Sequence, residues 1–557
     1  MNRRALLFFI VLCGGLLVTT GTALADTTST PEPIHECAPT PPDDFEPPDD
    51  GIETIGWVDG YWYNEPVGIE ADSNLSEAEL EAVTARTAAR IEAMRCLTFE
   101  ETPPVKVITR EKFEADTESQ FRAVTDEDRL FENAKLETVL LVGSQEDAID
   151  VRQAVQGASV AGYYDFEREE IVIVADEALS INEPILAHEL GHALQDQAFN
   201  LSQYERNTTD RNAGKLGVIE GDIHRLENQY REACERETWV EDCLEQAGGD
   251  GGQPPNQGLF LLEFQPYSDG PAFVDGVYGD GGWDAVDELY GDIPQSALYT
   301  IQPDAYGRID LAGSAVEDQS TGEFDRLLAD ESRGQAHDVI GPAGLAATLM
   351  ATATEDGVLE QEDIRNDANA ASRFNYDHAE TDGWRGDRLY AYHDGENGTG
   401  TVWQLAWRDS EAAAEFAEAY RQLIAHHGGE PVSEYENTYR FGEDSDFEKT
   451  LAIRQDGDRL LIVTAPTVGE LTAVHSTFVL EEAEGGIGNE NGTATDEEQT
   501  DEIPGFGIGV AGIAVGVVLV LMIVRNLRDN SPSNICEAQI RGPTLVVTAT
   551  SGSSTVS

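Results

Sequence analysis

Five consecutive residues, His188-Glu189-Leu190-Gly191-His192, place two metal-binding side chains and an acid in a spacing with a definite chemical use. On a helix, residues four apart share one face, one turn from each other. Two neutral imidazoles so placed can both reach one Zn²⁺ at about 2.0–2.1 Å. Glu189 is not needed as a ligand. Its expected place is beside a zinc-activated water, from which it takes a proton as general base. Zinc lowers the pKa of such a water toward about 7, and the proton can then pass to a leaving amine. The chemistry this suits is hydrolysis of a peptide bond. With 10 His in 557 residues, the pattern should arise by chance only about 0.02 times. The bland alternative is a pair of ordinary surface or core histidines on a helix.

A third protein ligand would hold zinc firmly and still leave one position open. The leading candidate is Glu220, in Val218-Ile219-Glu220-Gly221-Asp222, 28 residues after His192 and within the next amphipathic run. His224 and Glu227 follow at four and seven residues, on the same helical face, and could replace it or orient a ligand. Asp222 and Asp196 are further candidates for orienting the histidines, and Tyr230, Tyr267 and His224 for stabilising an oxyanion.

These residues need elements to position them. Asn182 can cap the motif helix, Pro184 suits its first turn, and Ile185, Leu186, Leu190, Ala193 and Leu194 supply an apolar face. A second helix is expected over Gly217 to Cys234, and an earlier one over Ser76 to Met94. Val105–Ile108, Val139–Val142 and Ile171–Val174 read as strands, the last directly before the motif helix and just after Gly162-Tyr163-Tyr164-Asp165. Gly249 to Gly282, rich in Gly, Pro and Asp, reads as irregular. Trp384 to Leu480 reads as a small α+β module: strands at Leu389–Tyr392 and Thr401–Leu405, a helix over Ser410–Ile424, and a hairpin turning at Gln455–Asp458. The expected class is therefore α+β. The metal-binding domain occupies 76–345, after an extended lead-in at 26–75, and the smaller module occupies 346–484.

The ends point to export. Arg3 and Arg4, the apolar run Ala5 to Thr20, and Ala23-Leu24-Ala25 read as a signal peptide over 1–25. A flexible acidic and Thr-containing linker at 485–503 precedes Pro504 to Val524, 21 uncharged residues, long enough to span a bilayer. Arg525 and Arg528 place the tail, 525–557, in the cytoplasm and the bulk of the chain outside. Cys37, Cys96, Cys234 and Cys243 are then external; Cys234 with Cys243 and Cys37 with Cys96 is the favoured pairing of three. Asn74, Asn200, Asn207, Asn397 and Asn491 are possible glycosylation sites. Asp and Glu number 106 against 35 Lys and Arg, a formal charge of -71, which argues against nucleic acid as a partner. Only five basic residues are Lys, and the acids are spread along the whole chain. Such a surface suits very high salt, where the Debye length falls to about 3 Å.

Ala187 to Phe199, reading AHELGHALQDQAF, together with Val218 to Asp222, Gly162 to Asp165 and Pro266 to Pro271, resembles a haloarchaeal surface protein family similar to gluzincin-like HExxH zinc peptidases. The likeness covers about Val160 to Tyr306 and, more loosely, the module after Trp384. It implies a zincin fold (a mixed sheet whose edge strand pairs with an extended polypeptide substrate), zinc as cofactor, and the glutamate after the histidine pair as a ligand. Pro504-Gly505-Phe506-Gly507 resembles the PGF sorting signal of archaeal surface proteins, which implies cleavage by an archaeosortase and a lipid anchor at the cell surface. The chain departs from that pattern by continuing from Asp529 to Ser557. Two functions follow as expectations: an extracellular zinc metallopeptidase, or a non-catalytic surface protein that keeps a zinc site for stability or binding.

Overall fold

The computed structural model describes residues 9–12, 37–48, 54–69, 75–121, 124–175, 181–236, 238–244, 254–313, 315–330, 334–353, 357–366, 372–396, 398–442 and 445–483. The chain divides into two compact units, Met1–Gly486 and Ile487–Ser557. The second unit, which contains nearly all of the expected linker, the apolar segment 504–524 and the tail, lies outside the described residues, as does the signal peptide apart from 9–12. Among the described residues no helix is long and apolar enough to cross a membrane.

In chain order the first elements are strand β1 (Phe9–Leu12), the two-residue strands β2 (Trp57–Val58) and β3 (Tyr61–Trp62), helix α1 (Glu77–Arg95) and strand β4 (Val105–Thr109). Helices α2 (Arg110–Phe121), α3 (Asp126–Thr138) and α4 (Ala148–Ser159) lead to β5 (Val160–Asp165) and β6 (Glu170–Ala175). The motif helix α5 (Glu183–Phe199), then α6 (Thr209–Glu235), α7 (Gln257–Leu289) and the short α8 (Leu298–Ile301) complete the first half. The second half holds β7 (Asp325–Arg326), α9 (Gly341–Met350), β8 (Trp384–His393), β9 (Thr399–Trp407), α10 (Ser410–His426), β10 (Gly429–Pro431), β11 (Thr438–Phe441), β12 (Thr450–Asp456), β13 (Arg459–Ala465) and α11 (Leu471–Val474). The class is α+β, as expected.

The first sheet is mixed, in the order β1-β5-β6-β4, with β4 parallel to β6 and the other pairs antiparallel. The strand just before the motif helix, β6, is therefore interior. The substrate-pairing edge strand that the resemblance implies is thus not β6; every one of its residues is buried, as its unbroken Ile-Val-Ile-Val run requires. It is β5 that faces Glu189, and the outer side of β5 is paired by Phe9–Leu12, residues of the expected signal peptide.

The second sheet has seven antiparallel strands, β10-β11-β12-β13-β9-β8-β7, with α10 packed on it through Phe416, Tyr420 and Leu423. Its hairpin turns at Asp456-Gly457-Asp458, where Gly457 adopts a positive φ of 61°. The two halves do not part at residue 345: that position lies inside α9, and one core joins Phe131, Leu141 and Val155 to Leu262, Leu345, Trp403 and Leu460.

Two local expectations fail. Val139–Val142 is a buried turn after α3, not a strand. Leu140 has a φ of 56°, which ends the helix, and a run of only four apolar residues cannot distinguish the two. The stretch expected to be irregular, 249–282, is mostly α7, which runs through Pro266 and Pro271 before a kink at Gly282 (φ 68°). Gly270 is there for a neighbour's backbone, that of Gly217, and the packing overrides its low helix propensity.

Candidate metal centre

The motif helix is anchored at its first turn. The Asn182 side chain accepts a hydrogen bond from the Ile185 N–H at 3.2 Å, and Pro184 sits where no N–H is required. Glu183, fully buried, accepts from Arg90 (2.6 Å) and Arg86 (3.2 Å) of α1, from the Leu244 N–H (3.0 Å), and from the Tyr230 hydroxyl of α6. A buried carboxylate so compensated fixes where α5 begins. The Cys234–Cys243 bridge, formed as expected, ties the end of α6 to the segment that supplies Leu244. Cys37–Cys96 pins the lead-in to the end of α1.

Helix α6 crosses α5 at a glycine. A Cβ at Gly191 would come within 2.8 Å of Ile223 Cδ1, so the motif's small residue is what admits α6. On its other side α6 meets α7 almost backbone to backbone. A Cβ at Gly221 would lie 2.4 Å from the Gly270 carbonyl oxygen, and one at Gly270 would lie 2.2 Å from that of Gly217. Glu220 stands between these glycines and is thereby held over the histidines. Tyr267, one turn before Gly270, donates its hydroxyl to Glu220 Oε1 at 3.1 Å.

The three expected ligands converge. The Nε2 atoms of His188 and His192 are 3.0 Å apart, and Glu220 Oε2 lies 3.5 and 3.4 Å from them. A tetrahedral ion with bonds of about 2.0–2.1 Å separates its ligand atoms by about 3.3–3.4 Å. The triangle therefore has the dimensions of one face of a zinc site. The tautomers agree. His188 Nδ1 faces Glu227 Oε2 at 2.9 Å and His192 Nδ1 faces Gln195 Oε1 at 3.0 Å. Both partners are acceptors there, because the Gln195 amide nitrogen donates to Ile219 O (3.0 Å), so each ring carries its hydrogen on Nδ1. Both Nε2 lone pairs then point at each other and at Glu220 Oε2, which has no hydrogen-bond partner. Three converging lone pairs in a fully buried site repel unless a cation sits among them. The local field favours a positive charge here, supplied by a metal ion or, without one, by a proton on His188. Burial opposes a charged His188 ring, yet the Glu220 and Glu227 carboxylates outweigh it and push its pKa up; the paired imidazoles push Glu220 down against its own burial.

The alternatives sort themselves by position. Glu227 does not join the triangle; it orients His188 and is itself gripped by Arg231. His224, Glu227 and His188 also fall within metal-binding distance of one another, but the Glu227–His188 hydrogen bond already accounts for that approach. Neither aspartate touches a histidine. Asp196 accepts from the Leu201 N–H and from the Tyr164 hydroxyl, beyond the end of the helix. Asp222 acts one step removed: with Tyr290 and Arg95 it holds Gln195, which holds His192. Gln195 was missed by the sequence reading; its place three residues after His192 on one helix was the available signal.

Glu189 is fully buried, and neither oxygen makes a hydrogen bond. Burial pushes its pKa up to about 8; the His188 ring pulls the other way, and Glu220 and Glu227 add to the rise. Gly162 of β5 lies so close that a Cβ there would be 3.1 Å from Glu189 Oε1. Of the three oxyanion candidates, Tyr230 is committed to Glu183 and Arg90, away from the triangle. Tyr267 donates to Glu220. His224, one turn after Glu220, packs edge-on to His188 (5.1 Å between centroids), and its buried Nε2 has no partner.

Residues 326–475 match a family described as a domain of unknown function (DUF8575). That span covers the seven-stranded sheet but for Asp325 and contains none of His188, Glu189, His192 and Glu220. No curated protein matches the chain, and no solved structure matches it.

Proposed function

We propose that this protein is a zinc-dependent metallopeptidase of zincin type, with His188, His192 and Glu220 as ligands and Glu189 as the general base. The observation that carries the reading is the triangle of 3.0, 3.4 and 3.5 Å with an unpartnered acid one residue from the first histidine. Bound there, zinc would supply Lewis acidity to the attacking water and to the substrate carbonyl. The chain's own residues do the rest. Glu227 and Gln195 keep the imidazoles in the Nδ1–H tautomer and fix their planes. Glu189, with no competing hydrogen bond, takes the proton from the attacking water and passes it to the leaving amine. The β5 backbone, beside Glu189, is the candidate to pair with an extended polypeptide once Phe9–Leu12 leaves with the signal peptide. Export, anchoring at the cell surface and sorting rest on the terminal segments and belong to the same proposal.

A second reading has one observation of its own. His188, Glu189, His192 and Glu220 are all 0% exposed, as a purely structural zinc site would be. One experiment separates the two: hydrolysis of an unfolded protein in multimolar salt, with zinc content measured on the same sample. The peptidase reading expects Glu189→Gln to keep its zinc and lose at least 100-fold in turnover. Full zinc occupancy with no hydrolysis by the unaltered protein would leave the structural reading standing.

A further inference from the structure

A cavity of about 360 Å³ lies at the junction of the two halves, bounded by the start of α6, the segment 335–339 and the first residues of β8. It is within the size range of small-ligand sites. It is separate from the metal centre: Asp210, on its wall, precedes Glu220 by ten residues of one helix, about 15 Å at 1.5 Å per residue.

The wall is unusual for this chain. In a protein of charge -71 acids far outnumber the guanidinium groups they could pair with. Arg388 lines the cavity half-buried, and among the described residues no hydrogen bond or ion pair engages its guanidinium. Arg211 lines it too, held by Asn207 Oδ1 at 3.1 Å and only loosely by Glu205 at 3.4 Å. His337 lines it as well; burial keeps it neutral, helped by Arg388, Arg326 and Arg211 and opposed by Asp338.

Two acids also line the cavity, and neither hydrogen-bonds or ion-pairs with Arg388. Asp387 already accepts four hydrogen bonds, from the Ile340 and Gly341 N–H groups and the Trp384 and Trp403 indoles. Asp210 accepts from the Ser296 hydroxyl and the Ala297 N–H, and burial pushes its pKa up to about 8, so near neutrality it carries a proton. A planar fork that no acid engages, with a second guanidinium on the same wall, suits an anion with two coplanar oxygens.

We propose that this cavity binds a small carboxylate, of amino-acid size, through Arg388 and Arg211. None of the metal-centre residues takes part, so the proposal stands or falls independently of the peptidase reading. The test is calorimetric titration of the purified protein in multimolar potassium chloride with L-glutamate, acetate and, as a cationic control, ethylammonium. The expected result is saturable binding of the carboxylates only, at least tenfold weaker in Arg388→Gln and weakened less in Arg388→Lys, which keeps the charge and loses the fork. Should Arg388→Gln fail to fold, a crystal of the unaltered protein soaked in 4-bromobutyrate decides: a bromine anomalous peak is expected in this cavity. Equal carboxylate affinity in Arg388→Gln, no carboxylate binding above chloride, or a bromine peak only elsewhere overturns the proposal.

Discussion

Replacing Gly221 by alanine tests how the third ligand is placed. An isolated helix would gain about 1 kcal/mol from that change, because alanine has the higher helix propensity. Here the new methyl would lie 2.4 Å from the Gly270 carbonyl oxygen, 2.6 Å from its carbon and 2.8 Å from Val274 Cγ2. Two of those three contacts are backbone, which no rotamer change relieves. Restoring ordinary contact requires α6 and α7 to part by roughly 1 Å. The Tyr267–Glu220 hydrogen bond would then stretch from 3.1 Å to about 4 Å, beyond hydrogen-bond range. Overpacking of this kind costs about 1–3 kcal/mol or more, so a net loss of about 1–3 kcal/mol is expected together with weaker zinc binding. Gly276→Ala is the matched control. It lies in the same α7, where a Cβ would meet nothing within 4 Å, and should stabilise by about 0.5–1 kcal/mol. Denaturant midpoints of both variants, taken in the same high salt, supply the comparison, and competition with a chromogenic chelator supplies the zinc affinity. If Gly221→Ala matched Gly276→Ala in stability and bound zinc like the unaltered protein, the account of the α6–α7 contact would be refuted.

Two further outcomes follow from neighbouring residues. Glu227→Gln removes the anionic acceptor of the His188 Nδ1–H and should weaken zinc binding about 10- to 100-fold while the fold persists; unchanged zinc affinity would contradict the orienting role. Asp269, buried beside Tyr267 and hydrogen-bonded to Gln265 and Ser372, has its pKa raised by burial from 3.8 to about 7. Between those values the folded chain holds a proton that the unfolded chain has lost. Its contribution is thus fully present below about pH 4 and falls away as pH rises through 7, by roughly 4 kcal/mol at most. Asp269→Asn should flatten that part of the stability profile, and an unaltered slope would show that the carboxyl is not the source.

What could be read from the chain was what short-range geometry controls. Two histidines one turn apart on a capped helix must share a face, whatever surrounds them, so His188 and His192 were legible together with Asn182 and Pro184. The strands at 105–109 and 170–175, the hairpin at Gly457 and both cysteine pairs were legible for similar reasons of pattern and distance along the chain. The choice among Glu220, His224 and Glu227 was narrowed but not made, since all three share one face of α6. Which one reaches the imidazoles depends on how α6 crosses α5 at Gly191 and how closely α7 presses on Gly217 and Gly221. The same contact turned a Gly- and Pro-rich stretch into α7, against its local preferences. Likewise β6 was recognisable as a strand, but its interior place depended on β5 folding back beside it. Local sequence determines which residues can act together along one element; only packing between elements, where a missing Cβ admits a neighbour's backbone, decides which of them meet.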